Sequence, residues 1–540
     1  MRKPAITLAI LLSALAVPLA PGVQAGAQAS HSRVSYDSAS DSSRPQATAQ
    51  SRGVLLVCNG STLPCPRTAP AAGPYYRTIQ GAVDAARPGD WILIYPGVYH
   101  EKSSRWPTAG VWVDKADLHL RGWARNQVIV DGSNGTAAHP CPSAAAEQDF
   151  TPRDGIVVWK ASGVTIQNLT VCDYLSGASG HGNEIWWDGG HGSGRIGLGS
   201  FSGSYLTATS QYAPANLPGR HLAQYGIFAG NSRGPGLITH SYAGNMADGA
   251  FYVGACRRVC NTTLADDTGV NSALGYTGTN SGGRLVITNS AFVLNHAGLA
   301  PNSENNDDAP PPQDGRCPGS VTRSCTIIEH NLVEANNNAN APSSASTAPV
   351  GTGIQIAGGS YDTVTGNLIA DQGSWGVLTT DNPDPEQPPP PSHCQGGVPN
   401  DPAPGICLFE ARGNRVYGNV FSHNGFFGNR TNSDLGTETL SSYTPRNCFY
   451  RNVDLGGTLT SAPAGIEGAN VDGRPCGRDG TGNDAALAEQ LICNTGIEPC
   501  QLPPSKARYP KQTRIVMLPV PRLASMPNPC AGVPENAFCS

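Results

Sequence analysis

Short apolar runs separated by polar turns recur through the middle of the chain. Six of these runs lie between Tyr225 and Asp381, and each begins with a glycine followed by strand-forming residues. The six glycines are Gly226, Gly249, Gly275, Gly298, Gly353 and Gly376. Successive glycines are 23 to 26 residues apart, except for one interval of 55. A period in the low twenties with one long insertion predicts a solenoid in which each repeat forms one coil.

A second pattern accompanies the first. An asparagine precedes an apolar segment at four matching places, Asn289, Asn331, Asn367 and Asn419. No helical period runs through this region, and Gly, Asn, Thr and Ser interrupt it every few residues, so each coil consists of short strands and tight bends. The pattern therefore predicts a parallel β-helix with two visible strands per coil. Its asparagines are interpreted as a structural ladder of stacked side-chain amides.

Composition agrees with a β solenoid. The chain has 540 residues, of which only 14% are charged, with 65 Gly and 45 Pro, which is typical of a turn-rich β protein. A repeat protein extends one core along an axis, so this length is compatible with a single long domain. The net charge of −5 is mild and no basic face is evident, so we expect no nucleic-acid partner.

The N-terminal sequence indicates export. Met1-Arg2-Lys3 is followed by an apolar stretch to about Leu19 and by small residues, which predicts a signal peptide over residues 1–29. Residues 30–53 are polar and are predicted to be a flexible lead-in. No later apolar run reaches the length needed to span a bilayer. We expect a secreted, extracellular monomer.

The repeats set the remaining domain boundaries. A β-helix with an N-terminal cap is predicted over residues 54–430. Residues 431–540, rich in Cys and Pro, are predicted to cover the last coil, with a small appended binding module as the alternative. The cap is a short amphipathic helix with Thr78 as its N-cap and Ile79, Ala82, Val83 and Ala86 on one face.

Sixteen cysteines in an exported chain predict disulfide bonds. The rival interpretation is a zinc site at Cys256 and Cys260, which lacks a second Cys or His pair at usable spacing. We expect mostly sequential pairing, which would pin each loop to its own coil. The expected pairs are Cys58–Cys65, Cys141–Cys172, Cys256–Cys260, Cys317–Cys325, Cys394–Cys407, Cys448–Cys476, Cys493–Cys500 and Cys530–Cys539.

Two stretches near the N-terminus carry a family resemblance. The opening of right-handed parallel β-helix proteins of the pectin-lyase-like superfamily is resembled by three consecutive stretches: Thr78 to Ala86, Pro88-Gly89-Asp90 and Ile94-Tyr95-Pro96-Gly97-Val98-Tyr99. Leu118–Gly122 with Val128–Gly132 resembles the next coil of those proteins. The resemblance implies an all-β, right-handed parallel β-helix. That superfamily includes pectate and pectin lyases, inverting polygalacturonases and sugar epimerases, so it leaves the activity open.

Outward side chains from equivalent strand positions should form a column beside a groove. Counting in alternation from each glycine places aromatic and amide residues near one column, and these suit sugar rings, which stack on apolar faces and form hydrogen bonds at their edges. The predicted substrate-binding residues are Tyr252, Tyr276, Asn302, Gln355 and Asp381.

Acidic residues near the repeats supply candidates for chemistry. Hydrolysis with inversion needs two carboxylates roughly 6.5–9.5 Å apart, and the best-placed candidates are Asp248, Asp307 and Asp308. A lyase instead needs a strong base and a group that neutralises a uronate carboxylate. Glu304, Asp307 and Asp308 could hold a calcium ion for that purpose, and the base could be Arg257, Arg258 or Arg284.

Two functional hypotheses follow. In the first, the protein binds or acts on extracellular polysaccharide, with lyase or hydrolase chemistry. In the second, it is a non-catalytic surface or adhesion solenoid whose coils serve as a scaffold. Carboxylates facing one groove favour the first, and a column of only Asn, Thr and small residues favours the second.

Overall fold

The computed structural model describes most of the chain between residues 53 and 539. The predicted signal peptide at 1–29, and the lead-in except for Gly53, lie outside the described residues. The described ranges are 53–66, 75–103, 108–176, 181–190, 197–217, 219–256, 259–304, 326–343, 348–385, 394, 396–401, 403–440, 445–468, 485–494, 509–536 and 538–539.

Three long parallel sheets run along the molecule, and each full coil contributes one strand to each sheet. The first sheet has twelve strands: β1 Val54–Val57, β2 Trp91–Ile94, β5 His119–Gly122, β8 Val164–Gln167, β11 Phe201–Ser204, β14 Gly236–Thr239, β17 Thr262–Ala265, β20 Leu285–Thr288, β23 Thr326–Glu329, β26 Thr363–Thr365, β32 Arg415–Tyr417 and β35 Cys448–Tyr450.

The second sheet has eleven strands: β3 Gly97–Tyr99, β6 Val128–Asp131, β9 Thr170–Cys172, β12 Thr207–Thr209, β15 Tyr242–Gly244, β18 Thr268–Val270, β21 Ala291–Val293, β24 Leu332–Glu334, β27 Leu368–Ala370, β33 Val420–Ser422 and β36 Val453–Asp454. The third sheet also has eleven strands: β4 Ala109–Val113, β7 Asp154–Trp159, β10 Ile185–Asp188, β13 Ile227–Gly230, β16 Gly249–Gly254, β19 Leu274–Thr279, β22 Ala297–Asn302, β25 Thr352–Ala357, β28 Trp375–Thr380, β34 Ser433–Thr437 and β37 Ser461–Ala462.

This architecture confirms the predicted right-handed parallel β-helix. The six glycine-led runs lie in or directly before strands of the third sheet, and the segments after Asn331, Asn367 and Asn419 form strands of the second. A small antiparallel sheet projects from the solenoid, formed by β29 Asn382–Pro385, β30 Val398–Pro399 and β31 Ile406–Phe409. Apolar side chains from all three long sheets fill one continuous core along the axis, including Ile156, Ile227 and Val377, which are fully buried.

The predicted cap helix is present as α1, Ile79–Ala85. It buries Ile79, Ala82 and Val83 against the first coil, and the Thr78 hydroxyl accepts a hydrogen bond from the Gly81 N–H at 3.1 Å. The Glu101 carboxylate accepts the N–H groups of Ile79 and Gln80 at 2.6 and 3.1 Å. The open end of the first coil is therefore covered by a helix whose first amides are satisfied.

A polar ladder lines the turn between the first and second sheets. Each turn has two residues, of which the first adopts a positive φ, as at His330 with φ 55°, and the second points inward. Each inward side-chain oxygen accepts the backbone N–H of its equivalent in the preceding coil, at 2.8 to 3.0 Å. The ladder consists of Ser241, Asp267, Ser290, Asn331, Asn367, Asn419, Asn452 and Glu467.

The C-terminal region divides into two parts. The strands β34 to β37 extend the three sheets to Ala462, past residue 430, where the sequence repeats fade. The residues 509–539, here called the C-terminal strap, then run back along the solenoid toward its first coils. Their backbone meets Asn340, Asn271, Asn245, Asn126 and Arg121 in turn, through hydrogen bonds of 2.7 to 3.1 Å.

The strap ends on the first coils. There Phe538 packs against Tyr75, Tyr95 and Trp123, with ring centroids 5.3 to 5.8 Å apart. Part of the region expected to cover the last coil therefore packs against the first coils at the opposite end. Short coil-to-coil repeats in the sequence give no signal for such a distant contact.

Five of the expected disulfides lie entirely within the described residues: Cys58–Cys65, Cys141–Cys172, Cys256–Cys260, Cys394–Cys407 and Cys530–Cys539. The bond between Cys256 and Cys260 replaces the rival zinc interpretation. Cys448 is also disulfide-bonded. The pairs Cys317–Cys325, Cys448–Cys476 and Cys493–Cys500 each involve a side chain outside the described part of the chain.

The described helices are short. Besides α1 there is a 3-10 helix at Ala145–Glu147 and a second α-helix, α2, at Ala485–Asn494. Among the residues that the structure describes, no helix is long and apolar enough to cross a membrane.

Candidate functional site

The outer face of the third sheet carries a series of aromatic side chains with acidic side chains beside them. Strand residues alternate between core and exterior, so Ile227 and Phe251 are fully buried inside while Phe228 and Tyr252 face outward. The strands are in register, which aligns Phe228 with Tyr252 and Tyr252 with Thr277. Equivalent outward residues of successive coils therefore form columns, with coils about 4.8 Å apart.

Six aromatic side chains follow one another on this outer face, across strands β4 to β16 or just before them, and are here called the aromatic strip. Trp112 stacks on Trp159 with centroids 5.5 Å apart, and Trp186 stacks on Phe228 at 5.1 Å. Tyr225 and Tyr252 continue the contacts, at 4.9 and 4.5 Å from Phe228. The strip covers four coil-to-coil steps, roughly 19 Å, which is long enough for several sugar rings.

Carboxyl groups adjoin the aromatic strip where it ends at Tyr252. The Tyr225 hydroxyl donates to the Asp248 carboxylate at 2.7 Å. Burial raises the pKa of Asp248 to about 6, partly offset by that hydrogen bond. Burial, followed by the negative charges of Asp384 and Asp248, raises the pKa of Glu304 to about 7. Asp248, Glu304 and Asp384, here called the acid cluster, are thus close enough to interact electrostatically.

Glu304 is held in position by its backbone. The Asn280 side chain accepts the Glu304 N–H at 2.9 Å and donates to the Glu304 carbonyl at 3.0 Å. This amide bridges the coil of β19 to the end of β22, which fixes the chain that carries the Glu304 carboxyl beside the outer face.

Polar acceptors continue the outer face beyond the acid cluster. The amide oxygens of Asn302 and Gln355 are buried and have no hydrogen-bond partner among the described residues. Farther along, Glu438 is 3% exposed, and burial together with the charge of Asp381 raises its pKa to about 8. The predicted substrate-binding residues Tyr252, Asn302 and Gln355 therefore share one face with the predicted acid Asp248 and the predicted metal ligand Glu304.

Tyr276 does not lie on the outer face. Its ring is fully buried in the core, aligned with Phe251 and Leu299 rather than with Tyr252. The strand register pairs Gly249 with Leu274, one residue before Gly275. Counting from the glycines therefore shifts this strand by one position, and a shift of one residue moves a side chain to the opposite face. Thr277 occupies the outward position instead.

Asp381, predicted to bind substrate, forms hydrogen bonds within the protein itself. It is 5% exposed, and its carboxylate accepts the N–H groups of Ala411 and Leu440 at 2.9 and 2.8 Å. The carboxylate thus ties two loops to the end of β28, so both of its oxygens already accept backbone N–H groups. Its negative charge still acts on Glu438.

Two predicted acids cannot be placed. Asp307 and Asp308, proposed both as catalytic carboxylates and as calcium ligands with Glu304, lie outside the described residues. Within the described ranges, the single close grouping of three metal-ligating side chains is Asp131 with Cys141 and Cys172. Those two cysteines form a disulfide, so they supply no thiolate to a metal.

Trp112, Trp159, Trp186, Tyr225 and Glu438 were not predicted from the sequence. Trp159 follows the core residues Ile156 and Val158 in β7, and Trp186 lies between the core residues Ile185 and Trp187 in β10, so the alternation of these strands marks both as outward. Tyr225 lies just before its strand, where no alternation applies. Glu438 follows the last regular repeat, where the period gives no register.

No protein-family model and no curated protein sequence matches the chain. Among solved structures, similarity is found to the mannuronan C-5 epimerase A-module of Azotobacter vinelandii, with 12% identity, a TM-score of 0.40, and coverage of 70% of this chain and 90% of that one. An alginate lyase from Paenibacillus sp. has 12% identity, a TM-score of 0.34, and coverages of 64% and 92%.

A third similar structure is the tailspike protein of E. coli bacteriophage HK620 in complex with a pentasaccharide, with 12% identity, a TM-score of 0.38, and coverages of 74% and 65%. Scores and identities this low support no inference about activity or substrate. The assignment as a parallel β-helix depends on the strand pairing described above.

Proposed function

We propose that the protein is an extracellular polysaccharide-binding β-helix that hydrolyses glycosidic bonds on the outer face of the third sheet. The observation that supports this most directly is the aromatic strip, which leads into the acid cluster on one continuous face. Aromatic rings offer flat apolar surfaces to sugar rings, and paired carboxyls supply the acid and the base that glycoside hydrolysis needs.

The pKa values of the two carboxyls suggest their roles. Between about pH 6 and pH 7, Asp248 is mostly ionised and Glu304 is mostly protonated. Glu304 would then donate its proton to the leaving glycosidic oxygen, and Asp248 would remove a proton from the water that attacks the anomeric carbon. The products are two shorter glycans, one with a new reducing end. A lyase would need an Arg or Lys base, and none in the described chain contacts these two carboxyls.

Binding is tested through the aromatic strip. We expect Trp186→Ala to weaken polysaccharide binding about 2- to 10-fold, because it removes one stacking surface. Retention on immobilised glycans and quenching of tryptophan fluorescence measure this effect. Tyr417→Ala is a matched control, since Tyr417 stacks on Tyr450 at 4.8 Å away from this face, on strands of the first sheet. Equal losses in the two variants would contradict a role for the strip.

Catalysis is tested by measuring reducing ends and unsaturated products together. We expect reducing ends alone, a rate maximum between about pH 6 and pH 7, and loss of nearly all activity in Asp248→Asn and Glu304→Gln. Unsaturated products would establish a lyase instead. Binding without any product would support the second hypothesis, a non-catalytic surface or adhesion solenoid.

A further inference from the structure

We propose that the outer face of the third sheet selects glycans that carry hydroxyl or ammonium groups and rejects glycans that carry carboxylates. This inference rests on the proposed function and names the substrate class of the same site. Three features support it: the strands of the sheet contain no basic residue, the ionisable groups at its edge are acids, and two buried amide oxygens lack donors among the described residues.

The strands that form this face contain no basic residue. The third sheet is built from eleven strands, and neither Lys nor Arg occurs in any of them. One basic group contacts the aromatic strip: the ammonium of Lys160 lies over the Trp159 ring at 4.6 Å from its centroid. That contact is at the opposite end of the strip from the acid cluster, so it cannot neutralise a substrate carboxylate there.

The face instead carries acids and acceptor oxygens. Asp248 and Glu304 lie at the end of the aromatic strip, and Glu438 lies three coils beyond β22. The other charged groups that raise the pKa values of Glu304 and Glu438 are carboxyls too, Asp384 and Asp381. Among the described residues, a bound carboxylate would therefore meet carboxyls and no basic group along this stretch, and burial would strengthen the repulsion wherever those carboxyls are ionised.

Two buried amide oxygens on this face lack hydrogen-bond donors among the described residues. The Asn302 amide nitrogen donates to the Ala300 carbonyl at 3.4 Å, while its oxygen has no partner in the described part of the chain. The Gln355 amide nitrogen donates to the Thr380 hydroxyl at 3.5 Å, and its oxygen likewise has no partner there. A buried acceptor without a donor is costly, and sugar hydroxyls or ammonium groups would satisfy it. A carboxylate has no hydrogen to give.

The test compares polymers that differ only in the group presented. Neutral and uronate forms of the same backbone are paired, namely polygalacturonate with its carboxyl-reduced form and mannuronan with mannan, and a glucosamine polymer is added for the ammonium group. Binding to the whole protein is followed by tryptophan fluorescence at low salt. We expect at least one neutral or ammonium polymer to bind roughly tenfold or more tightly than any uronate, with the preference shrinking near 1 M salt.

The outcomes separate the two proposals. Tighter binding of a uronate than of its neutral counterpart would overturn this inference and leave the proposed function standing. Absence of binding to every polymer would overturn both. Preference for the glucosamine polymer over the neutral ones would identify ammonium as the recognised group, and equal or weaker binding would identify hydroxyls.

A variant addresses the cause directly. At pH 9, where Glu438 with its pKa of about 8 is mostly ionised, we expect Glu438→Gln to narrow the ratio between neutral and uronate affinities by roughly fivefold, because it removes one negative charge while keeping the shape. Glu535→Gln, at an exposed position on the C-terminal strap, is the matched control and should leave the ratio unchanged. An unchanged ratio in Glu438→Gln would show that its charge does not select the substrate.

Discussion

Glu184 occupies a position at which the two neighbouring coils have glycine. It precedes β10 where the equivalent residue is Gly155 or Gly226, and its side chain is fully buried. Burial and the charge of Asp173 raise the pKa of Glu184 well above its usual range, and the pKa of Asp173 itself rises to about 7. One carboxyl oxygen of each residue has no hydrogen-bond partner.

These two acids predict a stability that falls as the pH rises. Their folded pKa values lie above those of the unfolded chain, near 4, so the folded state holds protons that the unfolded state releases. The stability contribution is complete below about pH 4 and is lost as the pH rises through about 7. We expect Glu184→Gln to raise Tm by roughly 2 °C or more at pH 8 relative to its effect at pH 5. Thermal melts at both pH values measure this.

The exposed Glu535→Gln is the control for those melts. An equal change of Tm at pH 5 and pH 8 in Glu184→Gln would contradict the assigned protonation of the buried pair.

At the scale of the element, the turn between the first and second sheets is the repeated unit of stabilisation. The Asn367 oxygen accepts the Asn331 N–H at 2.9 Å, and its amide nitrogen donates to the Ile328 carbonyl at 3.0 Å. Asn367→Ala would leave both groups buried without partners, so we expect a loss of about 2–4 kcal/mol in the free energy of unfolding. Denaturant unfolding measures this loss. Leu368→Ala, next to it and 40% exposed, should change stability by less than about 1 kcal/mol.

The strands show how much of the fold can be predicted from the sequence. Gly-led and Asn-led segments predict strands of the third and second sheets, because sharp bends need particular residues at fixed places. The first sheet has no such marker, since its strands, such as Leu285–Thr288, follow loops of varied sequence. The glycines predict the coil but not the register within it, which is why Tyr276 was assigned to the outer face while it lies in the core.

At the scale of the molecule, the C-terminal strap joins coils that are far apart along the axis. Coils of a solenoid contact only their neighbours, so each end can unfold without the other. Phe538 packs on the rings of Tyr75 and Tyr95 in the first coils. We expect Phe538→Ala to speed amide hydrogen exchange in β2 by about tenfold or more and to leave β33 unchanged, because only the N-terminal coils lose their cover.

Phe426→Ala is the matched control, since Phe426 is 44% exposed and stacks on His423 near β33. It should leave exchange in β2 as it is in the unaltered protein. Equal protection of β2 in Phe538→Ala and in the unaltered protein would mean that the strap adds no stability there.

The candidate site was only partly predictable at this scale. Asp248, Tyr252, Asn302, Glu304 and Gln355 were identified because each lies in or next to a recognisable repeat, and the structure brings all five to one sheet. Trp112 and Trp159 lie in earlier coils whose spacing does not follow the later period. Which aromatic residues lie on that face depends on the strand register between successive coils. The spacing of these residues in the sequence does not determine that register.

The hydrogen bonds of the polar ladder between the first and second sheets all run in one direction, and this direction determines where a coil can be added. Every rung from Ser241 to Asn452 passes its backbone hydrogen forward to the next oxygen, so a coil copied between Asn331 and Asn419 would find a donor behind it and an acceptor ahead. Glu467 is the last rung among the described residues, and its carboxylate accepts hydrogen bonds from both the backbone N–H and the side-chain amide of Asn452. Lengthening by duplication is therefore open to the interior coils.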